Sequence, residues 1–167
     1  PKEAKMPSSK IDEQVIGLSL HKVLEDAISH ETLKDEKKLY STIETLLKEQ
    51  NSHEVWGYFV DVWLQKLRPF MNNEIRRFDE GFSVFKKEFS HQVAYEGFML
   101  EGQIDRIDEK ENELFVIDYK SGKVPITTER TLEGTTDFQL VFYAHIASTL
   151  GKVGGVYYYD LKDRKSV

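Results

Sequence analysis

The sequence contains no cysteine among its 167 residues. This absence excludes disulfides, iron–sulfur clusters, thiolate zinc sites and cysteine nucleophiles together. The sequence also lacks any apolar run close to the roughly 18 residues that a membrane helix needs, and its N-terminus lacks the charged and then apolar pattern of a signal peptide. We therefore expect a protein that stays out of the membrane and is located in the cytoplasm.

An excess of positive charge is missing as well, because the formal net charge is −6 at pH 7. This balance argues against a protein that coats nucleic acid non-specifically. It does not argue against an enzyme that cuts nucleic acid, because metal sites are built from carboxylates and basic side chains can still line one groove. The length fits one domain. The start at Pro1 and the end soon after a strand-like segment suggest a piece of a larger protein.

The spacing of apolar residues predicts a helical part followed by a sheet. Residues 1–10 are polar and predict a disordered lead-in to a single domain over residues 11–167. Helical spacing predicts helices at 11–29, at 35–49, from a cap at Asn51 or Ser52 through Leu67, and at 138–150, with a resumed helical stretch at 70–78. Pro69 is expected to kink or end the third of these helices.

Alternating apolar residues predict four strands, at 82–93, 98–107, 114–120 and 153–161. A charged turn is expected at 108–113, and a long loop at 121–135. The order of elements is that of an α/β sandwich with a helical part at 11–78 and a sheet core at 82–161. In this architecture a hairpin-rich sheet gains a crossover strand.

The stretch 114–122, which reads L-F-V-I-D-Y-K-S-G, places two charged residues where the apolar pattern predicts interior. Asp118 and Lys120 are two apart on a strand and therefore share a face with Leu114 and Val116. A buried carboxylate and ammonium are costly unless something compensates them, and a metal ion with a phosphate substrate would do so. The D-x-K pattern alone is weak, because it recurs at Asp35/Lys37, Asp108/Lys110, Asp160/Lys162 and Asp163/Lys165.

A second carboxylate, Asp105, lies on the preceding strand. Pairing Ile107 with Glu113 or Leu114 across the turn brings Asp105 near residues 116–118. Two carboxylates then reach one cation, and such oxygen ligands favour Mg²⁺ or Mn²⁺. The alternative is that Asp105 forms a surface ion pair with Arg106 or Arg130.

Several further side chains are candidates for the same site. His21 lies at the edge of an apolar helix stripe, where it could be a nitrogen ligand or a satisfied core residue. Glu25 could hold its other ring nitrogen, Glu88 could touch the metal through water, and Asp108 is either a rival ligand or a cap of the charged turn. Lys120 would orient a water or offset phosphate charge, unless it forms a plain salt bridge with Asp118.

Gln139 and Tyr143 lie four apart on the helix at 138–150 and share a face, so both could contact a substrate backbone. Gln139 has a second interpretation, because T-D-F-Q at 136–139 fits a capping box. Tyr143 could instead belong to the core, and the tyrosines at 157–159 are expected to pack rather than to stack on bases.

Four segments together resemble the RecB-type nuclease domain of the PD-(D/E)XK superfamily, the domain found in RecB and in the AddA and AddB helicase–nucleases. The matching segments are G-L-S-L-H-K-V-L-E at 17–25, G-Q-I-D-R-I-D at 102–108, V-I-D-Y-K-S-G at 116–122 and Q-L-V-F-Y-A at 139–144. They occur in the family's order and span about residues 15–160. One segment would be a weak signal, whereas four in order are specific.

The resemblance implies a restriction-endonuclease-like fold, a mixed β-sheet flanked by helices. It implies metal ligation by His21, Asp105, Asp118 and the backbone carbonyl of Tyr119, with Asp105, Asp118 and Lys120 as the catalytic residues. Gln139 and Tyr143 match the family's Q-x-x-x-Y helix. The iron–sulfur cluster that several relatives carry is not expected here, because the chain has no cysteine.

The implied function is a Mg²⁺-dependent deoxyribonuclease, with Mn²⁺ as an alternative ion, that acts as an exonuclease in recombinational DNA repair. Its substrate would be DNA, in particular single-stranded ends fed by a helicase domain or subunit, and Arg106, Lys123 and Arg130 would steer phosphates to the site. A catalytically silent module that binds DNA or a partner, and a stand-alone endonuclease, are the alternatives.

Overall fold

The computed structural model describes residues 13–50, 54–121 and 138–161. Within these ranges the chain forms five helices: α1 (Glu13–Ala27), α2 (His30–Leu33), α3 (Glu36–Glu49), α4 (Glu54–Asp79) and α5 (Phe138–Ser148). It also forms four strands: β1 (Ser83–Tyr95), β2 (Phe98–Lys110), β3 (Glu113–Lys120) and β4 (Lys152–Asp160). None of the helices in these ranges has the length and apolar character needed to cross a membrane. The lead-in at 1–10 and most of the loop at 121–135 lie outside the described residues.

The four strands form one sheet in the order β1-β2-β3-β4. Strands β1, β2 and β3 run antiparallel, whereas β4 lies parallel to β3 at the edge. A parallel neighbour requires a crossover connection, and α5 lies within it. The predicted α/β sandwich, a mixed sheet flanked by helices with a helical N-terminal part, is confirmed.

Two apolar cores lie on the two faces of the sheet. Ile117 and Tyr119 of β3 pack with the buried residues of α1, α3 and α4 in the larger core. Leu114 and Val116 alternate with them and pack with Ile146 and other residues of α5 in the smaller core. The predicted assignment of β3 side chains to opposite faces is therefore confirmed.

Helix α4 runs through Pro69 without ending, so the predicted alternative of a stop at that residue is wrong. Proline removes a hydrogen bond to the carbonyl four residues earlier, which belongs to Gln65. Both Pro69 and Gln65 are exposed, so water can satisfy that carbonyl. The buried Leu67 and Phe70 on the opposite side hold the helix against the core.

Two short features escaped the sequence patterns. Helix α2 has only four residues, and Ser29 begins it with a capping box in which Thr32 is the reciprocal partner. The connection between β2 and β3 is also tighter than the predicted turn at 108–113. It consists of Glu111 and Asn112, which have φ values of 52° and 63°, as two-residue hairpin turns require.

The tight turn changes the register of the hairpin. Ile107 pairs with Val116 rather than with Glu113 or Leu114. The observed partner of Ile107, Val116, lies two residues beyond the expected partner Leu114. A shift by two residues leaves each side chain on the face of the sheet that the Leu114 pairing predicts. Extending the Arg106–Ile117 pair by one residue along each strand places Asp105 opposite Asp118.

Candidate metal and nuclease site

Asp118 and Lys120 lie at the C-terminal end of β3 and form an ion pair. Lys120 Nζ is 2.7 Å from Asp118 Oδ2, and the Asp118 side chain is only 6% exposed. Burial raises the pKa of Asp118, the Lys120 ammonium opposes that rise, and the neighbouring Asp105 carboxylate adds to it. Asp118 Oδ2 is buried and has an ionic contact with the Lys120 ammonium, but it accepts no hydrogen bond of regular geometry.

Asp105 is held between β3 and α1. Its Oδ2 accepts a hydrogen bond of 2.7 Å from the Tyr119 N–H, at the point where the β2–β3 backbone pairing has stopped. Its Oδ1 lies 3.5 Å from His21 Nδ1. Hydrogen bonding to Asp105 is the main cause that raises the pKa of His21, and Asp118 and the Tyr119 backbone contribute to the same rise.

Helix α5 approaches the same point from the opposite face of the sheet. Gln139 Oε1 accepts hydrogen bonds of 3.1 Å from Lys120 Nζ and from the Tyr158 hydroxyl. Gln139 Nε2 donates to the Tyr143 hydroxyl at 2.9 Å. Burial raises the pKa of Tyr143, and the Asp118 carboxylate adds to that rise. Gln139 and Tyr143 thus meet the Asp118–Lys120 pair, whereas the capping partners Thr136 and Asp137 lie outside the described residues.

Tyr158 packs in the interior, as expected for a strand tyrosine, but it also contacts the charged pair. Lys120 Nζ lies 5.0 Å from the centre of its ring, which is within cation–π range. This second role was not predicted, although the parallel pairing of β3 and β4 sets Tyr158 beside Asp118.

Two glycines allow the helices to come this close. A Cβ atom on Gly17 of α1 would lie 2.7 Å from Ser121 Oγ, just beyond the end of β3. A Cβ atom on Gly102 of β2 would lie 2.5 Å from Phe142 Cε1 of α5. Both glycines belong to the segments that carry the family resemblance, and their role there is close packing around the site.

Two further carboxylates lie near the pair formed by His21 and Asp105. Glu25 does not hold the His21 ring in this arrangement, since its carboxylate pairs with Lys22 at 3.0 Å. Glu88 accepts a hydrogen bond from Gln103 Nε2, and burial and then Asp105 raise its pKa. Glu88 is therefore close enough to Asp105 for the two charges to interact, but its hydrogen bond goes to Gln103.

The arrangement fits a hard divalent cation by its chemistry. It offers two carboxylates, an imidazole and the backbone of Tyr119 at one strand end, and the buried Asp118 Oδ2 lacks a hydrogen bond. Across 13–50, 54–121 and 138–161, no three His, Asp or Glu side chains have the geometry of a formed metal site. The candidate ligands instead form ion pairs: Asp105 pairs with the candidate ligand His21, and Asp118 pairs with Lys120.

Arg106 and Asp108 occupy the opposite face, so two sequence expectations are wrong. Arg106 is only 2% exposed and cannot steer phosphates from there, and Asp108 is fully buried in β2 instead of capping a turn. The Arg106 guanidinium donates to both Asp108 oxygens, at 2.6 and 2.7 Å. It also pairs with Glu74 of α4 at 2.6 Å, and Arg77 donates to Asp108 at 2.9 Å.

We call Glu74, Arg77, Arg106 and Asp108 the buried ion network. Glu74 was not singled out from the sequence, although a signal was present. It follows Phe70 by four residues and Met71 by three, so it lies on the buried stripe of α4. The other two basic residues expected to steer phosphates, Lys123 and Arg130, lie outside the described residues.

Comparison with known proteins gives one match to a family. The family model described as the PD-(D/E)XK nuclease superfamily matches residues 2–167. All four segments at 17–25, 102–108, 116–122 and 139–144 lie inside that match. No curated protein matches the chain.

Proposed function

The chain belongs to the PD-(D/E)XK nuclease superfamily, and on this premise we propose that it is a metal-dependent deoxyribonuclease that hydrolyses phosphodiester bonds at DNA ends. The observation that carries the proposal is the convergence of two pairs, His21 with Asp105 and Asp118 with Lys120, at the end of β3. Burial is the main cause that raises the pKa of Asp118, and the neighbouring Asp105 carboxylate adds to that rise, so a cation bound by both carboxylates would offset the cost of burying their charge.

In the proposed site, His21, Asp105, Asp118 and the backbone carbonyl of Tyr119 hold Mg²⁺ or Mn²⁺. The bound ion supplies Lewis acidity and lowers the pKa of a water molecule. The hydrogen bond from the Tyr119 N–H keeps Asp105 in its orientation. Asp105 raises the pKa of His21, and the imidazolium must lose its proton before a ring nitrogen can bind a cation.

Lys120 is proposed to place its ammonium against a phosphate oxygen or the attacking water. Its contacts support this role, because Asp118 and Gln139 hold it at the edge of the site while its side chain remains 25% exposed. Gln139 and Tyr143 present polar groups from α5 beside it and are proposed to contact the substrate backbone. Lys123 is proposed as a phosphate contact on sequence grounds alone.

We further propose a RecB-type exonuclease domain that takes single-stranded ends from a helicase domain or subunit during recombinational repair. The support is the resemblance of four ordered segments to that branch of the superfamily. No segment resembles an ATP-binding loop, so the motor would belong to another part of the protein or to a partner.

The first experiment is digestion of end-labelled single-stranded DNA with Mg²⁺, Mn²⁺ or EDTA. We expect cleavage with either metal and none with EDTA. Asp118→Asn should abolish cleavage, whereas Asp61→Asn, which changes an exposed carboxylate on α4, should leave it unchanged. Circular dichroism of both variants checks that the fold persists.

The outcomes separate the proposed function from its alternatives. Metal-independent binding of DNA without cleavage by the parent protein would indicate a silent binding module and refute the enzyme proposal. Cleavage of circular single strands at the same rate as linear ones would indicate an endonuclease. Full activity of Asp118→Asn would refute the assigned metal site.

A further inference from the structure

The buried ion network lies on the face of the sheet opposite Asp118, yet one of its contacts reaches the candidate metal site. Arg106 Nη1 donates a hydrogen bond of 3.1 Å to the Tyr119 hydroxyl. The same Tyr119 donates its backbone N–H to Asp105 at 2.7 Å. Tyr119 is therefore held at its side-chain end by the network while its backbone holds a candidate ligand.

Arg106 is the well-anchored member of the network, whereas both carboxylate oxygens of Glu74 lack a hydrogen bond of regular geometry. The side chains of Glu74 and Asp108 are inaccessible to solvent and that of Arg106 is 3% exposed. Two guanidinium groups face two carboxylates, so the formal charge of the set is balanced. Arg106 takes its partners from α4 and from its own strand, and two parallel bonds to Asp108 fix the plane of its guanidinium.

Asp105 precedes Arg106 in β2, so its backbone is tied to the same anchor. The backbone pairing of β2 with β3 ends at Arg106 and Ile117. Beyond that point the hydrogen bond from Tyr119 to the Asp105 carboxylate takes the place of the next ladder bond. A small shift of Tyr119 would therefore move the Asp105 oxygens directly.

We propose that Arg106 and the Tyr119 hydroxyl form a positioning device for the metal site, transmitting the fixed geometry of the buried ion network through Tyr119 to Asp105. This inference rests on the proposed function. It assigns to Arg106 a structural action on the ligands in place of the phosphate contact that the sequence suggested. Removing a group that hydrogen-bonds a metal ligand directly changes metal affinity by about 10- to 100-fold, and because Arg106 acts through Tyr119 we expect the lower end of that range.

The chain supplies a matched control. Tyr159 packs in the same core as Tyr119, and both rings contact Phe70 edge to face, at 4.8 and 5.9 Å between centres. The Tyr159 hydroxyl, however, bonds to Asn73 rather than to Arg106. Tyr119→Phe and Tyr159→Phe therefore each remove one hydroxyl group from the same core and keep the aromatic ring.

The test is direct titration of the parent and both variants with Mn²⁺ alone, by calorimetry or electron paramagnetic resonance. Their melting temperatures without metal are compared at the same time. We expect similar, small losses of thermal stability in both variants, but a Mn²⁺ dissociation constant about 10-fold higher only in Tyr119→Phe. In digestion assays with saturating metal, the KM for single-stranded DNA should stay close to that of the parent.

Equal Mn²⁺ affinity of Tyr119→Phe, Tyr159→Phe and the parent would overturn the inference while leaving the proposed nuclease function intact. A parent protein that binds no Mn²⁺ and cleaves no DNA would overturn the metal site itself and this inference with it. A loss of Mn²⁺ affinity in Tyr159→Phe as large as in Tyr119→Phe would also overturn it, because general loosening of the core would then explain both.

Discussion

Replacing Arg106 with methionine tests the buried ion network, and the expected loss of stability follows from the buried partners that the change leaves behind. The change removes one of two cations and leaves Glu74 and Asp108, both buried, facing Arg77 alone. Removing one partner of a buried ion pair costs about 3–5 kcal/mol. For a domain of this size each kcal/mol corresponds to about 2–4 °C in melting temperature, so we expect a decrease of about 6–20 °C.

The loss should depend on pH in a definite direction. Burial already raises the pKa of Glu74, and removal of Arg106 takes away the cation that opposes this rise. Glu74 of the variant will then accept a proton more readily in the folded state, which removes the unpaired charge. The difference in stability between parent and Arg106→Met should therefore shrink as the pH is lowered from neutral.

Thermal denaturation followed by circular dichroism, with urea unfolding at several pH values, measures both effects. The double variant Arg106→Met/Glu74→Leu leaves the Asp108–Arg77 pair and should recover most of the lost stability, because no carboxylate remains unpaired. Lys48→Met, which breaks an exposed helical ion pair with Glu44, serves as the control and should melt like the parent.

The contrary result is simple to recognise. If Arg106 were an exposed residue that contacts DNA phosphates, as the sequence suggested, its replacement would change the free energy of unfolding by no more than about 0.5 kcal/mol and would weaken DNA binding instead. An Arg106→Met variant that melts within about 2 °C of the parent would therefore refute the burial argument. A double variant no more stable than the single one would refute the explanation by unpaired charge.

Two further predictions concern the site and its packing. Because burial raises the pKa of Asp118, the folded metal-free protein holds that proton more tightly than the unfolded chain, and stability should fall as pH rises from the ordinary carboxyl range through the raised pKa. The midpoint of urea unfolding should depend less on pH in this range for Asp118→Asn than for the parent, because the titrating carboxyl group is gone. A pH dependence parallel to that of the parent would contradict the prediction. Gly102→Ala would place a methyl group 2.5 Å from Phe142 Cε1 and 2.9 Å from Ile146 Cδ1, so it should lower the free energy of unfolding by about 1–3 kcal/mol. An unchanged urea midpoint would show that α5 can move away from β2 at no cost.

Apart from the four-residue helix α2, the sequence by itself determined the order of helices and strands, the α/β class and the faces of β3. These features follow from local periodicity, which each segment carries in its own residues. The sequence also identified Asp105, Asp118 and Lys120 as residues that meet at the end of β3. Side chains alternate between the two faces of a strand, so a register error of two residues leaves each of them on the same face. The expected pairing of Ile107 was wrong, yet Asp105 still came to the correct face, since the error from Leu114 to Val116 was two residues.

Only the tertiary structure decided which charged residues are buried and with whom. Arg106 and Asp108 look like exposed residues beside a turn, and their interior position depends on Glu74 and Arg77, about 30 residues earlier in the chain. The continuation of α4 through Pro69 likewise depends on the core that holds its far side. Whether a charged side chain can be buried depends on the partners that the fold brings to it. The free-energy cost of burial and its compensation by those partners cannot be calculated from the local sequence.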